Sequence, residues 1–149
     1  KGLLLCGSRG QVKMSEQKTN DSKTAGNSGA LIYVVDDEPM LLELAAVILE
    51  PQGYNLQAFR DPEVALQTFS AAQPRPDLLI TDYAMHNMNG MQLIERFRNL
   101  EPRLKILLVS GTVGEDIFQN SRIKPDKFLA KPYQSNDLSV AVKTLLSGK

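Results

Sequence analysis

The sequence contains little cysteine, no long apolar run and no excess of charge of either sign. Its single cysteine, Cys6, cannot form an internal disulfide and provides no spacing for a zinc site. No apolar run approaches the roughly 20 residues that a membrane-spanning helix needs, so we expect no contact with a membrane. The sequence also has no internal repeat, no phosphate-binding P-loop and no G-x-G-x-x-G motif.

Acidic and basic residues are equal in number, 17 of each, but they are unevenly distributed. Residues 1–29 contain five bases and two acids, whereas the remainder contains 12 bases and 15 acids. A mildly acidic domain is a poor candidate for nucleic-acid binding, so we expect no direct contact with DNA.

Residues 1–29 are predicted to be a disordered N-terminal tail, because residues 17–29 are almost entirely Ser, Thr, Asn, Lys and Gly. The chain begins without methionine, and Met14 would be a natural start. We therefore expect residues 1–13 to be upstream read-through, a cloning remnant or the edge of a fragment. Residues 30–149 are predicted to form one domain.

From Ala30 onward, five short apolar strands alternate with five helical patterns. The predicted strands are residues 31–35, 55–59, 78–81, 105–110 and 128–130. The predicted helices begin near Pro39, Asp61, Gly90, Glu115 and Ser135, and the fourth, roughly residues 115–121, has the weakest pattern. Regular alternation of strand and helix indicates an α/β fold, with a doubly wound parallel sheet and helices on both faces.

Polar side chains follow the ends of four of these strands. Asp36 and Asp37 follow the first strand, and Asp82 follows the third. Ser110 ends the fourth strand, and Lys131 follows the fifth. Each has an ordinary explanation alone, such as an acid at a helix start or a solvated lysine. Because open parallel sheets place ligands at the carboxyl ends of their strands, the joint occurrence favours a functional site.

These residue types suit phosphoryl transfer to a carboxylate. Three acids close together repel one another and attract a hard cation such as Mg²⁺, which prefers oxygen ligands. A carboxylate can act as a nucleophile and form an aspartyl-phosphate. The Lys131 ammonium and the Ser110 hydroxyl would then stabilise the phosphoryl oxygens.

Four segments, in this order and at these separations, resemble the receiver domain of response regulators in two-component signalling. The segments are residues 34–39, residues 79–85 with Gly90, residues 108–111 and residues 128–132. The resemblance covers residues 30 to about 146. By analogy with the chemotaxis receiver, it implies a flavodoxin-like, five-stranded parallel sheet of order 2-1-3-4-5 with five helices.

The resemblance also implies roles for individual residues. Asp82 would be the phosphoacceptor, and Mg²⁺ would be held by Asp36, Asp37, Asp82 and the backbone carbonyl of Ala84. Ser110 and Lys131 would bind the phosphoryl group. Phe128 would be the switch aromatic that turns inward when Ser110 moves, and the bond before Pro132 is expected to be cis.

The resemblance implies a single-domain response regulator, a cytoplasmic phosphoacceptor whose only catalysis is its own phosphorylation and dephosphorylation. Its phosphodonor would be a histidine kinase or a histidine phosphotransfer protein. Phosphorylation would change the face formed by the fourth predicted helix, the fifth strand and the fifth helix, and so signal to a downstream protein.

Other interpretations stay open. The chain is alternatively a receiver fragment of a hybrid histidine kinase or larger regulator, with residues 1–29 as a linker. From a different class, it is a magnesium-dependent aspartate-nucleophile phosphatase, although such enzymes generally carry an acid where this sequence has Ala84. A flavodoxin relative that binds flavin is disfavoured, because no phosphate-cradling loop follows the first strand.

Two positions depart from the receiver pattern. His86, the only histidine, stands where the family usually has proline, and we interpret it as a loop residue rather than a phosphohistidine. The sequence Lys-Pro-Asp at residues 124–126 replaces the usual Gly-Ala before the fifth strand. This second departure leaves the shape of the neighbouring face, and hence the choice of partner, open.

Overall fold

The computed structural model describes residues 29–147, which contain five strands and four α-helices. The strands are β1 (Leu31–Val35), β2 (Asn55–Phe59), β3 (Leu78–Asp82), β4 (Lys105–Ser110) and β5 (Lys127–Ala130). The helices are α1 (Pro39–Leu49), α2 (Pro62–Ala71), α3 (Gly90–Leu100) and α4 (Ser135–Ser147). The predicted tail lies outside the described residues, apart from Gly29. Between residues 29 and 147, no helix combines the length and the apolar character that crossing a bilayer requires.

The five strands form one parallel sheet in the order β2-β1-β3-β4-β5. This order confirms the predicted doubly wound, flavodoxin-like fold. Apolar layers cover both faces, α1 and α4 on one side and α2 and α3 on the other. Ile32 and Val34 of β1 point into the first layer, while Tyr33 and Val35 point into the second. A strand buried on both faces is apolar at successive positions, which explains the continuous hydrophobic runs in the sequence.

Side chains next to the strands fix where two helices begin. The Asp61 carboxylate accepts a hydrogen bond from the Glu63 N–H at 2.9 Å and caps α2. Asn89 and Gln92 form a reciprocal capping box at the start of α3. Both helices therefore start at the edge of the sheet where the strands end.

The register of the sheet aligns the strand ends with one another. Val35 of β1 pairs with Thr81 of β3, and Asp82 pairs with Val109 of β4. Ser110 at the end of β4 in turn pairs with Ala130 of β5. The residues that end or follow β1, β3, β4 and β5 consequently lie along one edge of the sheet.

The predicted fourth helix is wrong, because the segment contains only a single 3₁₀ turn, Glu115–Ile117. Ile117, Phe118 and Ile123 all pack against the layer formed by α2 and α3. Ile123 lies beyond the predicted helix, so a helix over residues 115–121 could place only Ile117 and Phe118 against this layer. The irregular chain brings all three apolar side chains onto it, and this packing outweighs the weak local helical pattern.

Asp126 fixes the position of this irregular segment against β4. Its carboxylate Oδ2 accepts hydrogen bonds from the Ile106 N–H and from Arg98 Nη2, both at 2.7 Å. Its own N–H donates to the Ile106 carbonyl at 2.9 Å. The departure at residues 124–126 thus supplies a side chain that joins α3, β4 and the approach to β5.

We expect Asp126→Ala to lower the free energy of unfolding by about 1–3 kcal/mol, because the buried Ile106 N–H loses its partner. Asp116→Ala, which removes an exposed acid from the same segment, should change it by about 0.5 kcal/mol or less. Urea denaturation of both variants measures the difference. Equal midpoints for the two variants would show that the Asp126 bonds contribute nothing.

Candidate functional site

Three carboxylates converge at the edge of the sheet. Asp36 and Asp37 follow β1, and Asp82 is the last residue of β3. One oxygen from each carboxylate lies within 4.8 Å of the others. Asp36 and Asp82 are buried, with 7% and 8% of their surfaces exposed, and Asp37 is half-buried. Such a set of oxygen atoms can hold a hard divalent cation, so the residues fit the Mg²⁺ site that the sequence predicts.

Lys131 introduces a positive charge among these acids. Its Nζ lies 2.8 Å from Asp82 Oδ1 and 3.4 Å from Asp36 Oδ2. Burial by itself would lower the pKa of Lys131, but the hydrogen bond to Asp82 and the nearby negative charges outweigh it and raise the pKa. Lys131 is therefore a permanent cation at neutral pH, and it partly neutralises the three carboxylates.

The surroundings of Asp36 disfavour its ionised form. Burial raises its pKa, a hydrogen bond from the Glu38 N–H at 2.9 Å opposes the rise, and the charge of Asp82 adds to it. Lys131 also opposes the rise without cancelling it. The folded protein therefore holds a proton on Asp36 at pH values where the unfolded chain has already lost it.

Ser110 lies on the neighbouring strand end and is almost wholly buried. Its Oγ accepts hydrogen bonds from the backbone N–H groups of Thr112 and Val113, both at 3.1 Å. A hydroxyl has two acceptor lone pairs and one donor hydrogen. Because both lone pairs are used by the loop, Ser110 can only donate, and its O–H would have to turn from Thr112 Oγ1, 3.4 Å away, to serve an incoming oxygen.

The remaining predicted residues lie around this group. Ala84 is exposed in the loop after β3, two residues beyond Asp82. Phe128 lies on β5 opposite Leu108, on the same face as Ser110, with its ring centroid 6.0 Å from that of Phe118. The Lys131–Pro132 peptide bond is cis. The site thus brings the acids and Lys131 into direct contact, whereas Phe128 lies further along the sheet.

Gly90, the first residue of α3, packs directly against the backbone of the site. A Cβ at this position would lie 2.6 Å from the Asp82 carbonyl oxygen and 2.9 Å from the Tyr83 Cα. Real side chains do not approach backbone atoms so closely, so glycine is required here for packing. Its N–H also donates to the Tyr83 carbonyl at 2.7 Å.

His86 makes a contact that the sequence reasoning missed. Its Nδ1 lies 2.8 Å from Asp37 Oδ2, although the imidazole itself is 87% exposed. His86 therefore orients one of the three carboxylates. The signal available in the sequence was a lone histidine four residues after Asp82, at a position where the receiver pattern has proline.

An open cleft of about 300 Å³ adjoins the carboxylates. It is lined by Asp37, Arg60, Asp61, Pro62, His86 and Asn87. Arg60 directly follows β2, the one strand whose end the sequence motifs did not use. Nothing in the sequence alone distinguished this arginine from other exposed basic residues.

Comparison with known proteins shows which family the sequence matches. A family model described as a response regulator receiver domain matches residues 32–143. The probable transcriptional regulatory protein TcrX of Mycobacterium tuberculosis is 26% identical over 125 residues, which cover 83% of this chain and 53% of that protein. The sensor kinase CckA of Brucella abortus is 26% identical over 134 residues, which cover 89% of this chain and 14% of the kinase. The chain therefore spans about half the length of the first relative and much less of the second.

Among solved structures, the fold is similar to that of the response regulator protein TrrA from Thermotoga maritima, crystallised in complex with Mg²⁺-BeF. The two chains are 28% identical, with a TM-score of 0.68. The match covers 78% of this chain and 99% of the other.

We expect Asp36→Asn to stabilise the protein by about 1 kcal/mol at neutral pH without added Mg²⁺, a usual size for a favourable substitution. The amide oxygen can still accept from the Glu38 N–H, while the buried charge is removed. Because the pKa of Asp36 is raised, the advantage should shrink as the pH falls to about 4. Thermal melts across pH, with the exposed Asp116→Asn as control, test this. An Asp36→Asn protein no more stable than wild type at pH 7 would contradict it.

Proposed function

The chain belongs to the response-regulator receiver family of two-component systems, and from that premise we propose that it accepts a phosphoryl group on Asp82 in a Mg²⁺-dependent reaction. One observation carries the proposal. A buried carboxylate at a strand end lies 2.8 Å from the Lys131 ammonium, and two more carboxylates lie within 4.8 Å. Strong positive charge beside a carboxylate nucleophile is what phosphoryl transfer requires.

The contacts of the three acids favour Asp82 as the nucleophile. Asp36 is held by the Glu38 N–H and by Lys131, and Asp37 by His86. Asp82 uses Oδ1 for Lys131, and within residues 29–147 no hydrogen bond reaches its Oδ2. In the proposed reaction Asp82 Oδ2 attacks phosphorus, and Lys131 donates to a phosphoryl oxygen as negative charge accumulates there.

The proposed Mg²⁺ would be held by Asp36, Asp37, Asp82 and the backbone carbonyl of Ala84. When bound, it neutralises the carboxylates and the phosphoryl oxygens. The structure of TrrA with Mg²⁺-BeF supports this assignment, since a close structural relative binds a metal ion together with a fluoride. The Ser110 O–H, whose lone pairs are already used, would donate to a phosphoryl oxygen.

The proposed phosphodonor is a histidine kinase or a histidine phosphotransfer protein in the cytoplasm, and the proposed role is signalling rather than turnover of a substrate. The downstream partner would bind the face formed by residues 111–126, β5 and α4.

We propose that the protein is a single-domain response regulator. Similarity to part of a sensor kinase favours a second candidate, a receiver within a hybrid kinase. A reading frame that continues upstream of Met14 into a kinase would establish that candidate.

A phosphatase with an aspartate nucleophile is the rival from another class. Such an enzyme needs a general acid for its leaving group, and in this chain the position two residues after Asp82 is the methyl side chain of Ala84. Release of phosphate from a phosphomonoester by the purified protein would favour this rival.

Asp82→Asn should abolish phosphorylation by acetyl phosphate in the presence of Mg²⁺, because the amide keeps the shape of the carboxylate but is not a nucleophile. Intact mass measures the addition of one phosphoryl group. Asp116→Asn, which changes an exposed acid outside the cluster of three carboxylates, is the matched control and should react like wild type. An Asp82→Asn protein that gains a phosphoryl group at the wild-type rate would exclude Asp82 as the acceptor.

We expect Ser110→Ala to be phosphorylated but to respond weakly, because it lacks the hydroxyl that would bond the phosphoryl oxygen. NMR spectra with and without beryllofluoride measure the response, which in wild type should extend from Asp82 to residues 115–121, β5 and α4. Since alanine also leaves the Thr112 and Val113 N–H groups without their acceptor, Ser110→Thr is the control. Threonine keeps the hydroxyl and should restore the response. Equal responses in all three proteins would refute the coupling.

A further inference from the structure

The cleft beside the carboxylates has no role in the proposed reaction so far. It begins at Asp37, whose carboxylate lies within 4.8 Å of that of Asp82, and extends past His86 to Arg60. Because Asp37 belongs both to the cleft and to the cluster of three carboxylates, a molecule bound in the cleft lies next to that cluster. Lys131 contacts Asp82 at 2.8 Å and does not line the cleft.

The acids that line this cleft already have hydrogen-bond partners. Asp37 Oδ2 lies 2.8 Å from His86 Nδ1, and Asp61 accepts from the Glu63 N–H at 2.9 Å. The start of α2 is therefore capped by a carboxylate of the chain itself and does not offer its N–H groups to a ligand.

The donors that line the cleft have no such partners among residues 29–147. Arg60 is exposed, and no ion pair or side-chain hydrogen bond joins it to any of these residues. Asn87 is likewise exposed and makes no side-chain hydrogen bond within the same range. A guanidinium has five N–H donors and no acceptor. The cleft therefore offers hydrogen-bond donors and one positive charge, beside the carboxylates of Asp37 and Asp61.

The charges at the edge of the sheet explain why such a cation would matter. Asp36, Asp37 and Asp82 carry three negative charges and Lys131 one positive charge, which leaves an excess of two negative charges around the nucleophile. Bound Mg²⁺ would offset that excess, but an incoming phosphoryl dianion adds two further negative charges beside the carboxylates. A cation in the cleft offsets part of this added charge and raises the local concentration of an anionic ligand.

We propose that Arg60 binds the phosphoryl dianion of the incoming phosphodonor in this cleft, before transfer to Asp82. The inference rests on the proposed function and assigns to that site a residue outside the receiver motifs. Arg60 acts on the phosphoryl group, which is common to acyl phosphates and to phosphohistidine. It does not recognise the part of the donor that leaves.

The transfer step that follows is balanced for both kinds of donor. Asp82 Oδ2 forms the new P–O bond, and the bond from phosphorus to the leaving group breaks. Acetate leaves acetyl phosphate with the electron pair of the broken P–O bond and needs no proton. With monophosphoimidazole the ring carries a proton on its second nitrogen, so that the electron pair of the broken P–N bond gives neutral imidazole.

The test compares Arg60→Ala, Arg60→Lys and Arg103→Ala with wild type. Arg103 is also exposed, but it precedes β4 and so lies at the opposite edge of the sheet. Second-order rate constants for phosphorylation are measured by intact mass, with acetyl phosphate and with monophosphoimidazole. At low ionic strength Arg60→Ala should react about fivefold more slowly with both donors. Arg60→Lys should recover most of the rate, and Arg103→Ala should match wild type.

The dependence of the rate on ionic strength distinguishes a role of Arg60 in binding the donor from a role in maintaining the structure. The defect of Arg60→Ala should shrink towards wild type at about 1 M salt, because screening removes both the attraction and the repulsion. Its melting temperature and its Mg²⁺ affinity should equal those of wild type. A defect that is independent of salt, or accompanied by weaker Mg²⁺ binding, would overturn the proposal, since Arg60 would then support the metal site.

The two donors and the wild-type protein distinguish the remaining outcomes. A defect confined to acetyl phosphate would overturn the proposal, because Arg60 would then contact the acetyl group. Equal rates for Arg60→Ala and wild type, with both donors and at every salt concentration, would also overturn it while leaving the proposed function intact. Failure of the wild-type protein to be phosphorylated at all would instead refute the proposed function.

Discussion

The repulsion among three neighbouring carboxylates is the constraint around which this structure is arranged. Asp36 and Asp82 are buried side chains, so water does little to reduce the repulsion between them. Lys131 offsets part of it by approaching Asp82 to 2.8 Å and Asp36 to 3.4 Å. An excess of negative charge remains, and this excess makes the edge of the sheet suited to a divalent cation.

The parallel sheet makes this concentration of charge possible. Each acid or base follows a different strand, so no local segment of the chain has to hold the like charges together. The energy that holds Asp82 beside Asp36 comes from the apolar layers on both faces, in which β3 is buried at all five positions. The same burial raises the pKa of Asp36 and strengthens the hydrogen bond of Lys131 to Asp82. The stability of the fold and the electrostatic properties of the site therefore have a common origin in the packing of these strands.

The sequence was sufficient to predict the strands and the polar residues at their ends, because continuous apolar runs and the residues that follow them are local patterns. The strand order, and with it the convergence of Asp36, Asp37, Asp82 and Lys131, was implied by the resemblance to receiver domains. The predicted helix at residues 115–121 was wrong because its local pattern was weak, and packing of Ile117 and Phe118 against the layer of α2 and α3 outweighed it.

The contacts of Asp126, His86 and Arg60 could not be predicted for a similar reason. Each depends on a residue distant in the sequence or on the shape of a loop: Asp126 on Arg98 and Ile106, His86 on Asp37, and Arg60 on the cleft between two loops.

Helix α3 makes contacts of this kind at both of its ends. Its first residue, Gly90, touches the Asp82 backbone, and in its last turn Arg98 holds the Asp126 carboxylate. From Gly90 to Arg98 the helix runs for nine residues, a rigid rod of about 12 Å. Any movement of the Asp82 backbone towards Gly90 would be transmitted along this rod, so Asp82 and the approach to β5 are mechanically connected through a single helix.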